Sequence, residues 1–193
     1  MSISYNDYQK IARKTSATDD LTILALGLIG ESVEVRVSIQ KLQDYSLDYP
    51  LLKAANNLSK ELGDVLWYTA RIYDIFGEPF HNWRLRHFRF TTNGASLPSV
   101  ITADHLIEIA AVVSEHIKKV NGHGHDMDRD LVLNALSDIV RIVRYFAELI
   151  HGHDGDCVIL DENVDKLCMR YPNGFSTEKS VQRIDVEQGD QNA

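Results

Sequence analysis

Leu21-Thr-Ile-Leu-Ala-Leu-Gly-Leu-Ile-Gly-Glu-Ser-Val-Glu34 is followed, one spacer later, by Leu58-Ser-Lys-Glu-Leu-Gly-Asp-Val-Leu-Trp67, and these two stretches decide the fold. The first opens on a long apolar run and the second is mixed apolar and polar, neither shows strand alternation, and each carries two acids three residues apart. On a helix that spacing puts both carboxylates on one face, with Cβ atoms roughly 5–6 Å apart. Asp19 or Asp20 can cap the first helix, which runs to about Gln43. Being apolar nearly all round its first half, it is expected to be buried. Pro50 suits the first turn of the next helix, which continues to Phe76 and stops at Gly77 with Pro79 beyond.

The rest of the chain is also helical in pattern. Ser4 or Asn6 can cap a short first helix carrying Tyr8, Gln9, Ile11 and Ala12. A connector over 78–100 holds His81, Arg84, Arg86, His87 and Arg89 among aromatics, with room for one short helix. Thr102 can cap a helix to Val120 closed by Asn121-Gly122, and Asp126 or Asp128 opens another that ends near Ile150. Asp161 begins a last helix broken by Pro172, and a polar, acidic tail over 184–193 is expected to fray. The expectation is an all-α, single domain over 1–183 with a four-helix-bundle core: one helix pair within 5–77, a second within 101–152, and a C-terminal element over 160–183.

Lys60 to Ile75 aligns with Asn134 to Leu149, setting Asp64 on Asp138. Glu31, Glu34 and Glu61 then fall on Ile109, Val112 and Ala135, so the second pair reads as a degenerate repeat without its carboxylates. A chance match of two amphipathic helices is the alternative.

Composition narrows the function classes. The 193 residues carry a net charge of −8, which argues against a nucleic-acid coat but not against a nucleotide enzyme that carries a cation. The longest apolar run is too short to span a bilayer and lacks a basic leader, so no membrane role is expected. Cys157 and Cys168 have neither metal nor disulfide spacing, which points to a reducing, cytoplasmic setting.

Four acids within apolar helices need an explanation that acids on a solvated face do not. If the two helices pack antiparallel, Glu31, Glu34, Glu61 and Asp64 converge, and their repulsion is costly unless a cation neutralises it. Oxygen-only donors favour Mg²⁺ or Mn²⁺ over zinc. Gly63 between two of the acids implies a close helix approach or a ligand. Two loops, Gly122-His-Gly-His-Asp126 and His151-Gly-His-Asp154, offer a second metal site as one reading and polar helix closures as the other.

Gly27 to Val35 followed by Lys60 to Tyr68 resembles the Glu-x-x-Glu, spacer, Glu-x-x-Asp signature of MazG-like nucleotide pyrophosphohydrolases, of the all-α NTP pyrophosphatase superfamily. Tyr8-Gln9 with Ala12 and Thr15 is similar to the first helix of the single-domain, often phage-encoded branch. Leu167-Cys-Met-Arg-Tyr-Pro-Asn-Gly-Phe175, with Ser180 and Arg183, is similar to its C-terminal motif. The resemblance covers about 5–77 and 160–183; the connector and second helix pair depart from the shorter members. It implies Mg²⁺- or Mn²⁺-dependent cleavage of nucleoside triphosphates to monophosphate and pyrophosphate, with the four acids as metal ligands and Glu31 or Glu34 as general base. Lys41, Lys60, Arg170 and Arg183 are candidate phosphate contacts. Trp67, Tyr68, Gln9 and Asn163 are candidate base contacts, with core packing accounting for at least one aromatic. A purine such as dGTP is the favoured substrate, and a dUTPase- or dCTPase-like pyrophosphatase or a non-catalytic helical assembly protein is the alternative. A homodimer or homotetramer is implied.

Overall fold

The computed structural model describes residues 2–43, 51–85 and 99–182. Pro50, Arg86, His87, Arg89, Arg183 and the tail over 184–193 lie outside the described residues. The class is all-α. Seven helices follow one another among the described residues: α1 (Tyr5–Lys14), α2 (Leu21–Gln43), α3 (Leu51–Ile75), α4 (Val100–His123), α5 (Arg129–His151), α6 (Gly155–Arg170) and α7 (Thr177–Gln182). A 3₁₀ turn, Phe80–Leu85, follows α3.

The core is a ring of four helices in which α2 packs on α3 and α4, and α5 packs on α4 and α3. Side-chain bonds fix the directions. Ser114 Oγ donates to Ala25 O (2.8 Å) and Asn121 Nδ2 to Thr22 Oγ1 (2.9 Å), so α4 runs antiparallel to α2. Tyr73 and Ser137 hydroxyls meet at 2.6 Å while Ser59 meets His151, so α5 runs antiparallel to α3. Helix α3 is also covered by α1 and α6, which places it at the centre of the molecule. Arg71, 1% exposed, pairs with Asp74 on its own helix and with Asp19 just before α2, and so fastens the start of α2. Among the described residues no helix is long and apolar enough to cross a membrane.

Several helix ends fall where local chemistry puts them. Ser4 Oγ accepts from Asp7 N, Asp20 Oδ1 from Thr22 N, and Asp128 Oδ1 from Leu131 N, each satisfying an amide that the first turn leaves open.

Others correct the sequence expectation. Ser99, not Thr102, caps α4; Thr102 N donates to Ser99 Oγ at 3.1 Å. The same helix runs through Asn121-Gly122 and closes at Gly124, whose left-handed φ of 71° lets the His125 amide reach back to Lys119 O. Helix α6 starts at Gly155, not Asp161, because Asp156, Ile159 and Leu160 are buried against the core; Asp161 sits mid-helix and accepts from Ile3 N.

The expectation that α2 is buried nearly all round is also corrected. Ile23, Leu26, Val33 and Val37 are 54%, 62%, 41% and 40% exposed. They recur at intervals of three, seven and four residues, which keeps them on the one side of α2 that no other described helix covers.

Candidate metal centre

Helices α2 and α3 bring the acids together as the antiparallel reading requires. Glu31, Glu34 and Glu61 each offer a carboxylate oxygen within 4.8 Å of the others. Glu34 also hydrogen-bonds Glu61 across the helix interface. Among the described residues this is the one group of three or more His, Cys, Asp or Glu donors able to share an ion. The three members differ in burial: Glu34 is exposed, whereas Glu31 and Glu61 are partly buried.

That burial has an electrostatic consequence. Loss of solvent raises the Glu31 carboxyl to about 8, helped by repulsion from Asp64, Glu34 and Glu61. The Glu61 carboxyl rises to about 7, again through burial first and then through Asp64 and Glu34. Three acids that cannot all ionise cheaply are a site short of positive charge, and their donors are all oxygen. Mg²⁺ or Mn²⁺ suits both features.

Asp64 stands next to the glutamate group but is held from elsewhere. Its Oδ1 accepts Asn163 Nδ2 at 3.0 Å and forms an ion pair with Lys166, both from α6. Asn163, 3% exposed, is itself fixed: its Oδ1 lies 2.8 Å from the Tyr8 hydroxyl, which also sits 3.1 Å from Gly63 O. Gly63 makes this possible, because a Cβ there would lie 2.7 Å from Asn163 Nδ2 and 2.9 Å from Asn163 Cβ. The close approach implied by that glycine is therefore between α3 and α6.

Gly63→Ala is expected to push α6 away from Asp64. Overpacking of this kind costs roughly 1–3 kcal/mol, more than the ~1 kcal/mol that alanine adds in helix propensity. A melting temperature at or above that of the parent protein would contradict this.

Of the aromatic candidates, Tyr68 borders the acids and Trp67 packs behind it. Tyr68 lies over Gly27, where a Cβ would come within 2.2 Å of its ring, and its hydroxyl is raised by burial first and then by Glu31, Asp64 and Tyr171. Trp67 packs edge-on against Tyr68 at 4.8 Å and donates Nε1–H to Thr15 Oγ1 at 3.0 Å. Tyr171, buried and 5.4 Å from the Phe175 ring, extends the same side. Phe175 N bonds to Lys14 O, which docks the C-terminal motif on the end of α1.

The remaining candidates divide. Gln9 is buried between backbone partners: its Nε2 donates to Glu78 O (2.9 Å) and its Oε1 accepts from Phe80 N (3.0 Å), so the amide ties α1 to the 3₁₀ turn. Lys41 is exposed ten residues beyond Glu31, about 15 Å along the axis at 1.5 Å per residue. Lys60 is exposed beside Glu61. Arg170 stacks on the Tyr171 ring at 5.9 Å. Arg183 lies outside the described residues.

Lys166 and Tyr8 are the residues that sequence reasoning missed; the available signal was Lys166 standing three positions after Asn163, on the same helix face.

Among the described residues the other constellations do not form sites of this kind. Arg84, from the basic connector, stacks on Tyr5 and Trp83, and Arg141 and Arg144 also cover Trp83, so they pack the turn onto the bundle. The two histidine loops lie at opposite ends of α5 and do not meet. In the second helix pair, Asp138 is buried and paired with Arg141, while Ile109, Val112 and Ala135 occupy the aligned positions of the glutamates.

No protein-family model, no curated protein and no solved structure matches the chain.

Proposed function

We propose that the chain is a metal-dependent nucleoside triphosphate pyrophosphohydrolase of the MazG-like kind. The observation that carries the reading is the meeting of three glutamate carboxylates from two core helices, two of which, Glu31 and Glu61, are partly buried and raised in pKa, beside an aspartate that has a cationic partner. A helical assembly protein would have no use for such repulsion, since its removal would stabilise the fold.

Glu31, Glu34 and Glu61, with Asp64, would hold Mg²⁺ or Mn²⁺. A divalent ion held there would neutralise triphosphate charge and lower the pKa of an attacking water. The chain's residues do the rest. Asn163 and Tyr8 hold Asp64 in register, and the Trp67, Tyr68 and Tyr171 side offers flat surface for a nucleobase. Either Glu31 or Glu34 accepts the proton of the water. Glu34 is the better placed to exchange protons with solvent, being exposed. Water oxygen bonds to phosphorus, the α–β bridging P–O bond breaks, and nucleoside monophosphate and pyrophosphate leave. Phosphoryl chemistry of this kind requires positioning and charge and needs no nucleophilic side chain.

The test is product analysis by ³¹P NMR with ribo- and deoxynucleoside triphosphates, Mg²⁺ and Mn²⁺. Monophosphate plus pyrophosphate supports the reading; purine deoxynucleotides such as dGTP are the favoured substrates, with dUTP and dCTP the alternative. Release of inorganic phosphate alone, or no turnover of any nucleotide, removes it.

The reading includes a homodimer or homotetramer in the cytoplasm, acting in nucleotide-pool control, with the apolar side of α2 as the contact surface. Soluble proteins rarely leave so continuous an apolar stripe open to water. Light scattering is expected to give a multiple of the 21.9 kDa chain mass, and Leu26→Glu is expected to reduce it. A parent protein at 21.9 kDa would count against an oligomer.

A further inference from the structure

Asp64 differs from the three glutamates in that its negative charge is already matched. Lys166 Nζ pairs with Oδ1, the same oxygen that Asn163 Nδ2 reaches at 3.0 Å. The two α6 residues are built differently. Asn163 is buried, locked by Tyr8 and seated on the bare Gly63 backbone, so it can only hold. Lys166 ends in a compact ammonium on a flexible four-carbon stem, and its side chain and that of Asp64 keep 16% and 30% exposure. It can swing. Its charge also favours the ionised forms of the Glu31 and Glu61 carboxyls. One tethered ammonium thus stands in the field of the whole acid group.

We propose that Lys166 is an exchangeable counter-cation. It holds Asp64 in the nucleotide-free protein, then passes its ammonium to a phosphate oxygen of the entering triphosphate, which frees Asp64 Oδ1 to join the glutamates on the metal ion. No bond is made or broken; two ionic partners are exchanged. The inference rests on the metal-triphosphate reading above and deepens it. Its consequence is reciprocal coupling: Lys166 weakens metal binding in the absence of nucleotide, and nucleotide strengthens it.

Manganese binding to the full chain, read from the EPR signal of free Mn²⁺, tests this with and without a triphosphate whose α–β bridge is a non-hydrolysable methylene. Lys166→Met is expected to bind Mn²⁺ alone about three- to tenfold more tightly than the parent, as removal of a partly exposed competing charge allows. It is also expected to bind the analogue more weakly and to lose the enhancement of Mn²⁺ binding by the analogue. Lys166→Arg keeps the charge and is expected to match the parent for Mn²⁺ alone, which separates competition from a packing defect. If Lys166→Met binds Mn²⁺ no more tightly while Glu34→Gln weakens it, the exchange is wrong and the metal site stands. If the parent binds no Mn²⁺ that Glu34→Gln removes, both readings fall.

Discussion

Glu34→Gln is expected to lower kcat/KM for nucleoside triphosphate cleavage by about 10²–10³-fold, the range seen when one preorganised electrostatic contact is lost from a reacting centre. The substitution keeps the shape of the side chain and removes its charge. Glu34 is the exposed member of the group and hydrogen-bonds Glu61, so the change weakens the ion's donor set and takes away one of the two candidate bases. The fold is expected to survive: losing one charge from a repelling group relieves the neighbours, and the melting temperature of the metal-free variant should equal or exceed that of the parent. Pyrophosphate release and a thermal melt check both halves. Full activity in Glu34→Gln would contradict the site assignment, and a collapsed melting temperature would show that Glu34 is structural.

The metal-free protein is expected to lose stability as pH rises from 5 to 8.5. Glu31 and Glu61 titrate at about 8 and about 7 in the fold, against an ordinary 4.5. Between those limits the folded chain keeps protons that the unfolded chain has released, so stability is full below about 4.5 and drains away as pH climbs through 7 and 8. After discounting for solvent screening, the combined loss is on the order of 2–3 kcal/mol. For a chain of this length that corresponds to roughly 5–10 °C in melting temperature. Mg²⁺ or Mn²⁺ binds the ionised carboxylates and is expected to restore the loss at pH 8.5, with little effect at pH 5 where they are protonated. Glu61→Gln isolates the cause from histidine titration, since its metal-free melt should be flatter with pH than that of the parent. Parallel pH profiles for the two proteins would refute the explanation.

The all-α class and the boundaries of α1, α2 and α3 were legible because periodicity and caps agree there. Ser4, Asp20 and Gly77 mark ends that local chemistry alone selects. Ends chosen by packing were not legible. Gly155 looks like the close of a loop, yet the buried Asp156, Ile159 and Leu160 make it the start of α6. The α2 sequence is apolar all round, but which side lacks a covering helix depends on where α3 and α4 lie, and no local pattern contains that.

The site divides in the same way. Glu31, Glu34 and Glu61 could be read because spacing of three puts acids on one helix face, and two such helices next to each other in sequence tend to pair. The partner of Asp64 could not be read in this way, since Lys166 stands 102 residues further on. The backbone partners of Gln9 could not be read either: a polar side chain on the buried face of a short helix must find partners, and distant backbone groups at Glu78 and Phe80 supply them.

Anomalous diffraction from crystals soaked in Mn²⁺ and the methylene triphosphate analogue tests the four acids most directly. The predicted result is manganese within about 2.0–2.3 Å of carboxylate oxygens of Glu31, Glu34 and Glu61, with Asp64 turned toward the ion and the analogue's phosphates completing its shell. Manganese absent from these carboxylates, or bound instead at the His123–His125 loop, would contradict the account.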